Sequence, residues 1–399
     1  MALAQIDEAF FSFVRSHADE DPIKLRLKYK PERHSSIDLA ITHLECVKKA
    51  KGKFIGDDGE SIAPQVMLSP LSVEQASGLS TARLHVSLVK SGSKVLDMTC
   101  GMGIDTIAFA TLGKCNVTTC EMEPFYADVA EYNFGKYANI HVVKGDSVEY
   151  LKGTTECYDV IFIDPARRDS NGGRVYNIHD CTPDLCDILP LLLKHAPRII
   201  AKLSPMLDIT QTIKDLSPVE VYSIEGDGGE CKEILAVIEE VHGGETSIKV
   251  VHENGMFCFT QSDENAASAV YGTPEKEDIL YEPCAAAMKA APFRLLSAKF
   301  GLKKLHPNTH LYFSEQSANV FPGKEYEIID VINFSSSEIK SVAARYPKCN
   351  VATRNFILTP EQLTKKLKVK NGGEIKLFGV TLYDNTRKLV VTRGKGKFK

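Results

Sequence analysis

No stretch of this sequence approaches about eighteen uninterrupted apolar residues, which argues against a membrane-spanning helix. The eleven cysteines, spread from Cys46 to Cys349, contain no Cys-x-x-Cys pair. An odd, unpatterned set reads as reduced thiols acting mostly as small buried hydrophobes, and it argues against a zinc ribbon or a disulfide framework. His85, His141 and His179 have no metal-ligand spacing, so no metal is expected. The first twenty residues lack a basic leader followed by an apolar core and small residues. That excludes a signal peptide and, with the reduced thiols, places the chain in the cytoplasm. Tryptophan is absent, and internal repeats and low-complexity tracts are lacking. With 43% hydrophobic and 25% charged residues among 399, neither disorder, collagen nor coiled coil describes the whole. The length instead allows two to four domains, each able to bury a core.

Charge of one sign looks balanced at a formal net of -4, but its distribution is not. From Lys340 to Lys399 there are fifteen Lys and Arg against Glu361, Glu374 and Asp384, a net of +12. The first 339 residues therefore carry -16. A basic block of this density marks a surface that meets a polyanion, and it favours nucleic acid over a merely solvated face.

The first eighty residues read as helical, with Ile6, Ala9, Phe10, Phe13 and Val14, then Ile37, Ala40, Ile41, Leu44 and Val47, at helical spacing. Ser72-Val-Glu-Gln75 offers a capping box for a helix running towards Val89. From Lys94 short apolar runs alternate with helical stretches, the pattern of a parallel sheet with crossover helices. The runs are 94–98, 117–120, 141–143, 158–163 and 198–203. Residues 219–224 and 233–239, joined by a Gly-rich loop, read as an antiparallel hairpin at the end of that sheet. Beyond about Gly244 a linker and a less regular region follow, including the Ala-rich 284–291.

The first strand ends in Asp97-Met-Thr-Cys100-Gly101-Met-Gly103-Ile-Asp105 and leads into a helix. A glycine turn there lets backbone amides approach a ligand at the carboxyl edge of the sheet. The third glycine of a nicotinamide fingerprint is missing, because Thr106 occupies its place. Asp97 suits a cation better than a pyrophosphate. Glu121 follows 24 residues later at the end of the next strand, where an acid can accept from both ribose hydroxyls of a nucleoside. Asp146 after the third strand is placed to accept from an exocyclic adenine amine, and Asp164-Pro165-Ala-Arg167-Arg168 follows the fourth. One such acid is ordinary turn chemistry. Four in order, one per strand-helix unit, form a ligand site.

Residues 94 to about 240 resemble class I S-adenosylmethionine-dependent methyltransferases. The wider pattern is similar to a bacterial subgroup with a carboxyl-terminal THUMP-like domain, through Ser72 to Arg83, Asp164 to Arg168, Glu230-Cys-Lys-Glu233, Leu302-Lys-Lys-Leu-His-Pro307 and Arg354-Asn-Phe356. The resemblance implies an α/β fold: a Rossmann-like seven-stranded sheet, an N-terminal helical layer, and a C-terminal α+β ferredoxin-like and THUMP-like region. The expected divisions are 1–79, 80–245, 246–325 and 326–399. It implies S-adenosyl-L-methionine as cofactor, bound by Asp97, Met98, Gly101, Gly103, Glu121, Met122, Asp146 and Ser147. Catalysis would fall to Asp164, Pro165, Arg167 and Arg168.

Nucleobase amine methyltransferases continue this acid-Pro pair with a second proline and an aromatic, and here Ala166 and Arg167 stand instead. The two arginines either stack on a base, clamp a phosphate or carboxylate, or pair with Asp169, Asp105 or another local acid. Lys202 and Ser204-Pro205 end the fifth strand at another edge facing the cleft, where a turn is the favoured reading. Cys231, at the hairpin mouth, is either a covalent nucleophile of the kind used for carbon methylation of pyrimidines or a bystander, and the lack of an activating base favours the second. In the basic block, Lys365, Lys366, Lys368 and Lys370 alternate in part as a strand would, and Arg393 and Lys395 belong to a last strand with a basic tail. Such side chains supply phosphate contacts that position an RNA without reading it. The sequence thus points to a methyltransferase acting on RNA, tRNA or rRNA, without metal or membrane. A small-molecule or protein methyltransferase, or an RNA-binding protein that keeps the cofactor site without turnover, is the alternative.

Overall fold

In the computed structural model of the chain, the described residues are 2–167, 177–240, 243–318 and 320–394. They form two compact units, Met1–Val219 with Leu235–His242, and Glu220–Ile234 with Gly243–Lys399.

The first unit opens with helices α1 (Glu8–Ser16), α2 (Pro22–Tyr29) and α3 (Ser36–Ala50). Each is started by a side chain accepting from an unpaired amide of the first turn: Asp7 from Phe10, Asp21 from Ile23 and Ser35 from Asp38. Their apolar faces, with Phe10, Leu25, Leu39 and Ile41, share a core with Val129. The single helix expected from Ser72 to Val89 is instead two, α4 (Pro70–Gln75) and α5 (Leu79–Ser87). Ser69 rather than Ser72 caps the first, and the chain turns extended at Ala76 before Gly78 begins the second.

Strands and helices then alternate. They are β1 (Lys94–Asp97), α6 (Ile104–Thr111), β2 (Asn116–Glu121), α7 (Pro124–Phe134), β3 (Ile140–Lys144), α8 (Ser147–Gly153) and β4 (Val160–Ile163). There follow α9 (Leu185–His195), β5 (Arg198–Leu203), α10 (Ile209–Leu216), β6 (Glu220–Glu225) and β7 (Cys231–Glu239). The β1–β2, β2–β3, β1–β4 and β4–β5 pairs are parallel. Central strands are buried on both faces, as parallel strands covered by helices must be, and all four residues of β4 are inaccessible. The strand order is β3-β2-β1-β4-β5-β7-β6, the expected seven, continued by β8 (Ser247–His252) and β9 (Gly255–Phe259). Residues read as linker thus form two further strands. Their alternating burial, Ile248, Val250 and His252 in and Ser247, Lys249 and Val251 half out, is the signature of one covered face.

The second unit, to which β6, the start of β7, β8 and β9 belong, continues with α11 (Gln261–Ala266), β10 (Ile279–Pro283), α12 (Ala285–Ala290), α13 (Phe293–Phe300), β11 (Lys303–His306), β12 (Thr309–Ser314) and β13 (Gly323–Asn333). After these come α14 (Val342–Arg345), β14 (Asn350–Arg354), α15 (Pro360–Leu367), β15 (Ile375–Thr381) and β16 (Arg387–Gly394). The Ala-rich run is therefore a helix, capped by Cys284. An eight-stranded sheet runs from the short strand Val270–Tyr271 through β11-β12-β10-β13-β16-β15-β14. Lys365 and Lys366 lie on α15 and not on a strand, a correction with a clear cause. Leu363 and Leu367, four residues apart, are both buried, and Thr359 with Gln362 closes a capping box ahead of them. Lys368 ends the helix in the left-handed conformation, φ 57°.

Glu282 on β10 ties four strands of this sheet together. It accepts from Tyr326 Oη at 2.9 Å, Arg354 Nη2 at 2.7 Å and Lys376 Nζ at 2.6 Å. Burial works to raise its pKa, but Lys376, Tyr326 and Arg354 outweigh it and the net direction is down. A lowered carboxylate stabilises the fold above its unfolded pKa, and that contribution disappears as pH falls through the folded value. Glu282→Gln is expected to cost on the order of 2 kcal/mol at pH 7. Denaturant unfolding should show the gap closing below about pH 4.

Candidate functional site

The carboxyl ends of β1, β2, β3 and β4 carry the acids singled out above. Asp97, the last residue of β1, is 1% exposed. Its Oδ1 accepts from the Thr99 amide at 3.1 Å and its Oδ2 from Thr106 Oγ1 at 2.5 Å. The residue that replaces the third fingerprint glycine is therefore a hydrogen-bond donor to the first acid. Desolvation dominates nonetheless and pushes the Asp97 pKa up to about 7, with Asp105 and Asp164 adding repulsion.

The turn after β1 is built for close approach. Gly101 and Gly103 have positive φ, 54° and 77°. A Cβ on Gly103 would stand 2.2 Å from Phe134 Cζ, so only glycine fits there. The Gly101 amide donates to Glu121 Oε2 at 3.1 Å, and the Glu123 amide to Glu121 Oε1 at 3.0 Å. Glu121 thus reaches across from β2 to the glycine turn, its pKa raised by burial against those amides. Met98 is in the core, its amide bonded to Phe162 O at 2.9 Å, whereas Met122 is 67% exposed beside Glu121. Asp146 caps α8, its Oδ1 accepting from Val148 and Glu149 amides at 2.8 and 2.9 Å, and Ser147 is buried behind it.

Asp164, directly after β4, is tied to both neighbouring strands. Its amide donates to Thr99 Oγ1 at 2.8 Å, and its Oδ2 accepts from Lys202 Nζ at 2.6 Å. Lys202, which the sequence places at the end of the fifth strand, lies within β5 and, like Lys304, is a buried lysine. Pro165 is buried, and Ala166–Arg167 pairs antiparallel with Cys181–Thr182. Arg168 and Asp169 lie outside the described residues, as does Lys395 of the basic tail. Asp105, a suggested partner for those arginines, is engaged by His85 Nδ1 at 2.7 Å, with Ser77 Oγ at 3.4 Å. Desolvation works to raise the Asp105 pKa, but His85 and Lys202 bring it below the ordinary value.

Ser77, His85, Thr99 and Thr106 are not apparent as site residues in the sequence, and Lys202 shows there only as a residue at a strand edge facing the cleft. Thr106 carries a signal, its substitution for the expected glycine; His85 and Lys202 meet their partners only through helix packing and strand register. Cys231 is half-buried, 3.6 Å from Ser223 Oγ, with its thiol pKa raised by burial, as suits a bystander. Among the described residues, His179, Asp184 and Cys186 bring three donor atoms within 4.8 Å of one another. Asp184 is already committed to His179 at 2.9 Å and to the Cys186 amide at 3.0 Å, and burial lifts the Cys186 thiol to about 11. Lys365, Lys366, Lys368, Lys370 and Arg393 are all exposed. No helix among the described residues is long and apolar enough to cross a membrane.

Residues 280–322 match a family model described as a ferredoxin-like domain, and residues 323–393 one described as THUMP domain-like. A crystal structure of a protein from Porphyromonas gingivalis W83, assigned as a methyltransferase, is 31% identical with a TM-score of 0.84, over 97% of this chain and 98% of that one. Ribosomal RNA large subunit methyltransferase K/L of Desulfotalea psychrophila is 30% identical over 116 residues, 28% of this chain. The match spans 16% of that curated relative's length.

The Asp97 environment sets a pH dependence of opposite sign to that of Glu282. A raised carboxyl pKa costs nothing below the unfolded value near 4, and the penalty is complete above the folded value of about 7. Asp97→Asn should therefore match the unliganded wild type in thermal melts near pH 4 and exceed it at pH 8, by on the order of 4 kcal/mol. Gly103→Ala should lose stability at every pH, since φ and the Phe134 clash do not titrate.

Proposed function

This chain belongs to the methyltransferase family that carries a ferredoxin-like segment and a THUMP-like carboxyl-terminal domain, and on that premise we propose that it methylates RNA using S-adenosylmethionine. The observation that carries the cofactor assignment is the pairing of a buried Asp97 with Glu121 around a glycine turn that admits no side chain at Gly103. A carboxyl group raised to about 7 gains from a neighbouring cation, and a sulfonium is one. Met98, Gly101, Gly103, Met122, Asp146 and Ser147 complete the proposed cofactor set. When bound, the cofactor supplies an electrophilic methyl group.

The chain's own task is alignment, since in-line displacement depends on bringing donor and acceptor together. Asp164 and Pro165 form the reacting edge, and Arg167 and Arg168 complete the proposed catalytic set. Held by Asp97, Glu121 and the glycine turn, the cofactor would offer that methyl group to the acceptor's lone pair, with its sulfur as the leaving group. The acceptor's proton leaves to the Asp164 carboxylate and thence to water. We read 1–79 as a helical layer, 80–245 as the catalytic domain, 246–325 as linker and ferredoxin-like segment and 326–399 as the RNA-docking domain. The docking residues are Lys365, Lys366, Lys368, Lys370, Arg393 and Lys395. The protein works in the cytoplasm, without metal or membrane. Support for RNA comes from the +12 block, from the THUMP-like match and from the likeness over 116 residues to a ribosomal RNA methyltransferase.

Calorimetry with S-adenosylhomocysteine should show binding by the wild type and a weakening of about a hundredfold or more in the Asp97→Ala, Glu121→Ala double variant, for charged and neutral hydrogen bonds of roughly 1.5 kcal/mol each. Equal affinities would sink the pocket assignment. Labelled methyl should enter RNA from cells lacking the protein, and Asp164→Ala should abolish incorporation. Charge reversal at Lys365, Lys366, Lys368 and Lys370 should weaken RNA binding and flatten its dependence on salt, by close to one unit of slope for each phosphate deprived of its lysine.

A further inference from the structure

Lys202 occupies an unusual position for an ammonium group. Its side chain is 10% exposed, and it lies on β5 one residue beyond Ala201, which is the register partner of Ile163 on β4. Lys202 and Asp164 are therefore next in register across parallel strands, and the 2.6 Å contact between them follows from the sheet itself. Its charge also reaches Asp105 at the start of α6, which binds the fully buried ring of His85 on α5 at 2.7 Å. That ring packs on Phe162, two residues before Asp164, with centroids 5.3 Å apart. Among the described residues, the ammonium thus has near it Asp164 directly after β4, Asp105 from α6, His85 from α5 and, next to both acids, Asp97 from β1.

A buried ammonium is retained at low cost only where carboxylates surround it. Here two do, one facing inward with its own histidine and one at the mouth of the site, its side chain 43% exposed. The geometry points to Lys202 as the positioning residue of the methyl-transfer site. Attracted by the charge of Asp105, which is itself bonded to His85, it holds Asp164 by one oxygen and so orients the other towards the acceptor. It also offsets one of the negative charges that would otherwise crowd the place where the sulfonium binds. The inference rests on the cofactor reading above and is independent of whether the acceptor is RNA.

The relative affinity of the full-length protein for S-adenosylmethionine and S-adenosylhomocysteine tests it, because the two ligands differ by one positive charge at sulfur. Removing the ammonium in Lys202→Met should shift that ratio towards the cation at pH 8 by about tenfold, the order expected of one charge a few ångström away in a partly solvated site. Adding Asp164→Asn to Lys202→Met should cancel that shift, because the carboxylate left without its cation is then gone, and Lys202→Arg should restore the wild-type ratio. Should Lys202→Met fail to fold, Lys202→Gln, which keeps a donor for Asp164 without the charge, must show the same shift. A ratio unchanged at pH 8 in either folded variant overturns the inference. Failure of the wild type to bind either ligand overturns the cofactor reading and the inference with it.

Discussion

Asp97 ends a strand flanked on both sides by parallel neighbours, and its carboxyl group is cut off from water. Removing a carboxylate from water costs several kcal/mol unless hydrogen bonds or a cation compensate. Among the described residues that compensation comes from Thr99 and Thr106, one on each side of the glycine turn. Satisfying Asp97 therefore shapes the turn, and the turn in turn presents its Gly101 amide to Glu121. Thr99 extends the same arrangement to Asp164 through its hydroxyl. The reacting edge and the cofactor edge are coupled by a single threonine whose amide serves one acid and whose oxygen serves the other.

Around this centre the acids are treated differently although they look alike in sequence. Asp105 is fully paired and stays charged, Asp146 is spent partly on a helix cap, and Glu121 accepts amides from its surroundings. Asp97 is the one of the four raised as far as about 7. One fold thus places carboxyl groups of distinct protonation close to one another by varying only what each is allowed to touch.

The alternation of strands and helices from β1 to β7 is legible in the sequence because parallel strands must be continuously apolar and their crossovers must be periodic. Val160 to Ile163 illustrates the first requirement. The acids are legible because each directly follows such a run. Lys202 and His85 are not, since a lysine at a strand end and a histidine on a helix carry no local mark of the partner they meet through register and packing. The segment around Lys365 misleads for another reason: Leu363, Leu367 and Val369 suit a spacing of four and, in part, of two, and the capping pair Thr359 and Gln362 decides between them. Ser72 misleads similarly, because a serine three residues upstream has already taken the capping role.

The sheet of the second unit also bears on whether that unit can be divided. The ferredoxin-like match ends at residue 322 and the THUMP-like match begins at 323. Yet β10, in the first segment, lies directly against β13, in the second, and Glu282 of the one is held by Tyr326, Arg354 and Lys376 of the other. A boundary drawn there cuts along a row of shared backbone hydrogen bonds, leaving each half with a raw edge prone to pairing with other chains. The two named segments are accordingly one sheet, and neither could be removed alone without stripping the other of its neighbouring strand.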